Sequence, residues 1–255
     1  MSPRSPADFL SAPLAHRALH DVTEGRPENS RAAIRAAISH GYGIEIDVQL
    51  SADDQAMVFH DYALERLADG SGPVRAVAAN ALSQVSLLGG AEGIPKLDEV
   101  LQIIAGQVPL LIEIKDQDGA MGPDIGPLEA ATAKAITSYQ GPIAVMSFNP
   151  HAVARMAELC PHIPRGLVTS SYDPDNWPLP VATCEHLRKI PDFDRVGATF
   201  ISHEAADLKR PRVAELKTCG ANVLCWTIRS AQQEVEARQV AQNVTFEGYL
   251  PLQPG

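Results

Sequence analysis

His16 and Arg17, the run Pro27-Glu28-Asn29-Ser30, the pair Glu45 and Asp47, and His60-Asp61 all fall between residues 16 and 61. In Ile44-Glu45-Ile46-Asp47-Val48 the carboxylates stand two residues apart, so on an extended strand they project from one face. Side by side they repel each other unless a cation joins them. Hard divalent cations such as Ca²⁺ and Mg²⁺ take oxygen ligands, and a carboxylate pair is their ordinary anchor. Glu113 and Lys115, in Leu110-Leu111-Ile112-Glu113-Ile114-Lys115, form a second same-face charged pair and supply a third acid. Imidazole titrates near neutral pH and can both take and give a proton, so His16 and His60 bracket the acids as general acid and base. Together the residues read as a metal-assisted phosphoryl-transfer site.

Such a set needs a scaffold that brings strand ends together. Short apolar runs alternate with amphipathic segments, which predicts repeated βα units and a parallel sheet. Strands are expected at 14–16, 43–50, 109–115, 143–148, 165–169, 198–202, 222–227 and 244–248. Helices are expected at 30–39, 97–105, 127–138, 151–159, 184–189, 211–218 and 231–239. Eight strands and seven helices in 255 residues predict an α/β TIM (β/α)8-type barrel forming a single domain over residues 1–255. Ser30 should cap the first helix and Gly41 end it. Too few residues follow the last strand for an eighth helix, so the final helix is expected to be missing, with residues around Asp8 to Leu10 in its place. Residues 55–93 fit no helical layer and read as a small insertion after the second strand, which brings His60 to the strands' C-terminal face.

Thirty-one acidic against 21 basic residues give a net charge of -10, which argues against a nucleic-acid backbone or an anionic membrane surface as partner. Residues 1–13 lack the apolar segment of a secretory signal, and no run approaches the roughly eighteen apolar residues of a membrane span. The expectation is a cytoplasmic protein without stable membrane insertion. Cys160, Cys184, Cys219 and Cys225 lack CxxC spacing and are expected to be reduced and buried.

The ordered series His-Arg, Pro-Glu-Asn-Ser, Glu-x-Asp-Val, His-Asp, Ile94-Pro95-x-Leu97-x-Glu99-Val100, Glu113-x-Lys115, Ser147-Phe148 and Trp226-Thr227 resembles the glycerophosphodiester phosphodiesterase family from about Leu14 to Thr227. The resemblance implies metal-dependent hydrolysis of a small-molecule glycerophosphodiester to glycerol 3-phosphate and an alcohol. It casts His16 and His60 as catalytic residues and Glu45, Asp47 and Glu113 as ligands of one divalent cation, Ca²⁺, Mg²⁺ or Mn²⁺. Arg17 and Lys115 would hold phosphate oxygens, Arg17 through its planar fork and Lys115 as a compact charge. Trp226 would wall the glycerol moiety or pack the barrel, and Glu28 and Asn29 would support the site or cap the helix. His20 is assigned a structural or surface place.

The chain departs from the family pattern in three places, one being that Leu64-Glu65-Arg66-Leu67 after His60-Asp61 keeps the leucine and arginine spacing but lacks a typical threonine. Ala18 stands where the family has glycine, and Thr245-Phe246-Glu247 replaces the family's Thr-Asp-x-Pro ending. Two other readings use the same residues: a lysophospholipase D-like enzyme, and a catalytically silent barrel that binds phosphodiesters. Turnover and its metal requirement separate enzyme from silent barrel.

Overall fold

The computed structural model describes Leu10 and residues 12–252. In chain order the elements are β1 (Leu14–Ala15), α1 (Arg31–Ser39), β2 (Gly43–Leu50), β3 (Ala56–Val58), α2 (Ala79–Leu82), α3 (Leu97–Ile104), β4 (Leu110–Ile114), α4 (Pro127–Ile136) and β5 (Ile143–Ser147). They continue with α5 (Pro150–Leu159), β6 (Arg165–Thr169), α6 (Val181–Leu187), β7 (Phe200–Glu204), α7 (Pro211–Thr218), β8 (Asn222–Ile228), α8 (Ala231–Ala237) and β9 (Asn243–Phe246). Parallel pairing runs β1-β2-β4-β5-β6-β7-β8-β9 and returns to β1, which closes a barrel of eight strands. β3 lies antiparallel on the C-terminal half of β2, pairing Val48 with Val58.

Alternation along β2 decides which side chains see the barrel interior. Ile44, Ile46 and Val48 pack outward with Ile34, Leu101 and Ile104 of the helical layer. The opposite face of the strands carries Leu14, Leu111, Met146, Phe200 and Leu224, which form a separate cluster within the barrel. Glu45 is in register with Leu111, so Glu45 and Asp47 face that lumen.

Ser30 caps α1 by accepting a hydrogen bond from the Ala33 amide, and Gly41 follows its C-terminus at φ 71°. The sixth barrel strand, β7, begins two residues later than its apolar run suggests. The amide of Ala198 bonds back to Phe193 in a turn through Gly197, and the ladder starts only where Phe200 pairs with Gly166.

The insertion has its own small core of Met57, Phe59, Leu64, Val74, Leu82 and Leu87. A bond from the Phe59 amide to the Asp47 carbonyl, 2.9–3.0 Å being its ordinary length, ties this core to β2 and sets His60 beside the strand end. No helix follows β9 among the described residues. The substitute expected around Asp8 to Leu10 lies, apart from Leu10, outside the described residues. Cys160, Cys184 and Cys225 are buried, but Cys219 is exposed because it caps the outward end of α7. No described helix is long and apolar enough to cross a membrane.

Candidate functional site

Asp47 and Glu113 are register partners on neighbouring strands, and Glu45 lies two residues before Asp47 on the same face. One oxygen from each of the three carboxylates lies within 4.8 Å of the other two, and all three residues are buried. The Lys115 ammonium is 2.7 Å from Asp47 Oδ1 and 2.6 Å from Glu113 Oε1. Arg17 Nε lies 3.7 Å from Asp47 Oδ2, and the Arg17 amide donates to Glu45 Oε2 at 2.8 Å.

Three buried acids therefore face two cations. Burial, reinforced by the charges of Asp47 and Glu113, pushes the Glu45 carboxyl well above its ordinary range. Burial also raises Glu113, whereas Asp47, buried as deeply, is held low by Lys115, His60 and Arg17. A trio of oxygen donors with one acid left short of a counter-charge fits a divalent cation.

Each histidine leans on a carboxylate through Nδ1. His60 Nδ1 is 2.6 Å from Asp61 Oδ1, and Arg66 grips the same carboxylate with two bonds of 2.6 Å. Arg66 also reaches Glu28 at 3.3 Å, and Glu28 accepts from Arg17 at 2.8 Å, so the network returns to the site. His16 Nδ1 is 2.6 Å from Glu247 Oε2, which also lies 3.7 Å from His20 Nε2, while the other oxygen pairs with Arg229 at 2.7 Å. A carboxylate on Nδ1 fixes the Nδ1–H tautomer and leaves Nε2 for chemistry. Burial lowers both imidazoles, His60 to about 4, although Glu247 works against that for His16.

Sequence reasoning left Glu247 undecided and assigned no role to Asp61, Arg66 or Arg229. Asp61 had a signal, being adjacent to His60. For Glu247 the signal was its place in the segment that replaces the family's Thr-Asp-x-Pro ending, but its nearness to His16 comes from barrel closure: β1 pairs with β9, aligning Ala15 with Phe246. His20, placed from sequence as structural or surface, joins this group near Glu247. We expect Glu247→Gln to lower kcat about ten- to a hundredfold with little change in KM, because the amide cannot stabilise the imidazolium as the carboxylate does. Steady-state kinetics of the folded variant check this, and a changed KM with unchanged kcat would contradict it.

Asn29 sits at φ 60° and is 1% exposed. Its side-chain amide donates to Asp47 Oδ2 at 3.0 Å, and its carbonyl accepts from the Asp47 amide at 3.2 Å. Asn29→Ala leaves both Asp47 groups short of a buried partner and puts alanine in the left-handed region. The expected loss is about 2–4 kcal/mol of stability. A denaturant melt indistinguishable from the parent's would refute this. Ala18 is also left-handed, at φ 65°, and its buried methyl packs in the outer core.

Trp226 lines the lumen mouth and donates from Nε1 to the Ser202 carbonyl at 3.0 Å. With His16, Arg17, His60, Lys115, Phe148 and the three acids it borders a cavity of about 160 Å³. Arg17 Nε, buried, has no hydrogen-bond partner there.

Residues 16–245 match the model of the glycerophosphoryl diester phosphodiesterase family. YhdW of Bacillus subtilis, whose name provisionally gives it this activity, is 29% identical over 240 residues, covering 91% of this chain and 90% of that protein. A glycerophosphodiester phosphodiesterase of Caldanaerobacter subterraneus is 31% identical over 165 residues, 61% of this chain and 65% of its own length. An Oleispira antarctica phosphodiesterase, solved in complex with the product sn-glycerol-3-phosphate, superposes with a TM-score of 0.78 at 25% identity, covering 96% of this chain and 95% of the other. A glycerophosphodiester phosphodiesterase from Parabacteroides distasonis shares the fold, with a TM-score of 0.74 at 21% identity over 92% of each chain.

Proposed function

The chain belongs to the glycerophosphoryl diester phosphodiesterase family and is a phosphoric diester hydrolase; from that premise we propose that it cleaves glycerophosphodiesters to glycerol 3-phosphate and an alcohol, with two histidines moving the protons and a divalent cation at the carboxylate trio. The observation that carries this reading is the pair of carboxylate-anchored imidazoles, His16–Glu247 and His60–Asp61, bordering one small cavity with the three acids.

Glu45, Asp47 and Glu113 would hold the cation, which when bound supplies positive charge against the phosphate and acidifies a hydroxyl nearby. Arg17 offers a phosphate oxygen its Nε, which makes no hydrogen bond within the protein, and Lys115 adds a second positive charge at close range. One imidazole takes the proton of the attacking hydroxyl, whether that belongs to water or to the glycerol 2-position. As the new P–O bond forms, the P–O bond to the departing alcohol breaks. The other imidazole delivers a proton to that alkoxide. Where the 2-hydroxyl has attacked, water then opens the resulting cyclic phosphate to glycerol 3-phosphate, with the two imidazoles exchanging roles. Trp226 and Phe148 wall the cavity and keep bulk water from the phosphate. The substrate is a small molecule, and we extend to this chain the glycerol 3-phosphate product seen with the Oleispira relative.

Release of glycerol 3-phosphate from glycerophosphocholine and glycerophosphoethanolamine tests the reading, with metal-stripped protein resupplied with Ca²⁺, Mg²⁺ or Mn²⁺. Metal-dependent release supports it. Folded protein that binds the diesters but releases nothing with any of the metals favours a silent binding barrel.

A further inference from the structure

Among the described residues, two buried side-chain polar atoms bordering the cavity of about 160 Å³ make no hydrogen bond within the protein: Arg17 Nε and Thr245 Oγ1. The arginine atom meets the phosphate in the reaction proposed above. The threonine hydroxyl has no part in it.

Thr245 is 1% exposed and stands on β9 in register with Leu14 of β1. Leu14 precedes His16 by two residues, so Thr245 lies one layer deeper in the lumen than the His16 imidazole. That layer is hydrocarbon. Leu14, Met146 and Val168 belong to the interior apolar cluster, and Met146 and Val168 border the cavity together with Thr245. Trp226 uses its one donor on the Ser202 carbonyl. A hydroxyl buried without a partner is costly, and native proteins keep few. A resident water needs roughly two to four polar partners, which such a floor does not offer. Ser202 and Thr132 also carry buried hydroxyls without partners, but neither borders the cavity. Thr227 borders it but is only half-buried.

A hydroxyl of the ligand fits this place. In glycerol 3-phosphate the phosphate sits on one end carbon, and the hydroxyl of the other end carbon is the group farthest from it. With the phosphate oxygens at Arg17 and Lys115 and the 2-hydroxyl beside the imidazoles, the terminal hydroxyl is left to point at the cavity floor.

Resting on the glycerophosphodiester reading above, we propose that Thr245 is a specificity-determining residue whose hydroxyl hydrogen-bonds the terminal hydroxyl of the glycerol moiety. A diester lacking that hydroxyl leaves Thr245 unpaired beneath an occupied cavity and is discriminated against for that reason.

The test compares kcat/KM for glycerophosphocholine and for the choline ester of propane-1,2-diol 1-phosphate, which keeps the 2-hydroxyl and lacks the terminal one. The glycerol ester is expected to be preferred about ten- to a hundredfold. Thr245→Val should bring the preference close to one by slowing the glycerol ester, and Thr245→Ser should keep most of it. Valine has the shape of threonine and buries no polar atom, so Thr245→Val should melt no lower than the parent. A variant that melts well below it reveals a structural hydrogen bond and overturns the assignment. So does equal use of the two esters by the parent, or an unchanged preference in Thr245→Val. If neither ester is hydrolysed, the activity reading fails instead. Calorimetry with glycerol 3-phosphate and propane-1,2-diol 1-phosphate then decides the role of Thr245. It stands if the parent binds the first tighter and Thr245→Val does not, and falls otherwise.

Discussion

Replacing His16 with alanine is expected to lower kcat for glycerophosphodiester hydrolysis roughly a thousandfold, the usual worth of a positioned proton-transfer group. The fold should survive, because His16 lies at the end of a two-residue strand whose ladder bonds are made by backbone groups. Metal affinity should be unchanged, since the three acids lie on β2 and β4 and none takes its hydrogen bond from the His16 side chain. His60→Ala should give a loss of the same order. Its partner Asp61 would stay gripped by Arg66, so the effect reports the imidazole and not collapse of the loop. A loss smaller than about tenfold in either folded variant would remove that histidine from the proton-transfer role.

Chelation is the second large effect. Stripping the protein of divalent cation should abolish turnover, and Glu45→Gln should do nearly the same by replacing one of three anionic carboxylates with a neutral amide. The trio also predicts a pH dependence of metal binding. Burial and the neighbouring carboxylates raise the Glu45 carboxyl above its ordinary value of 4.5, so the metal-free protein holds a proton there that the cation must displace. Apparent affinity should therefore rise with pH through the raised range in which Glu45 ionises and level off beyond it. Titration of metal into weakly buffered protein should release protons to the medium. In Glu45→Gln that release should fall. Full activity in excess chelator would refute the metal requirement, and binding without proton release would refute the state assigned to Glu45.

Much of the fold was legible because its signals are local. Period-two alternation in Ile44-Glu45-Ile46-Asp47-Val48 implied both an outward apolar face and an inward acidic one, and the barrel shows both. Ser30 and Gly41 marked the ends of α1 by their own hydrogen-bonding and backbone preferences. The late start of β7 was less legible. Apolar character begins at Ala198, but a backbone turn uses the next residues before the ladder forms.

The sequence by itself determined which residue types could hold a cation, a phosphate and two protons, since carboxylate spacing on a strand and the titration range of imidazole are properties of short segments. Only the tertiary structure decided which groups complete them. Glu247 reaches His16 across 231 positions because β9 closes on β1. Arg66 joins Glu28 because the insertion folds back over the mouth of the barrel. Tyr62, Met121, Phe148 and Trp177 meet at one pocket although no periodicity links them. Their loops leave different strands of a closed cylinder, and closure brings together residues whose separation along the chain carries no trace of that meeting.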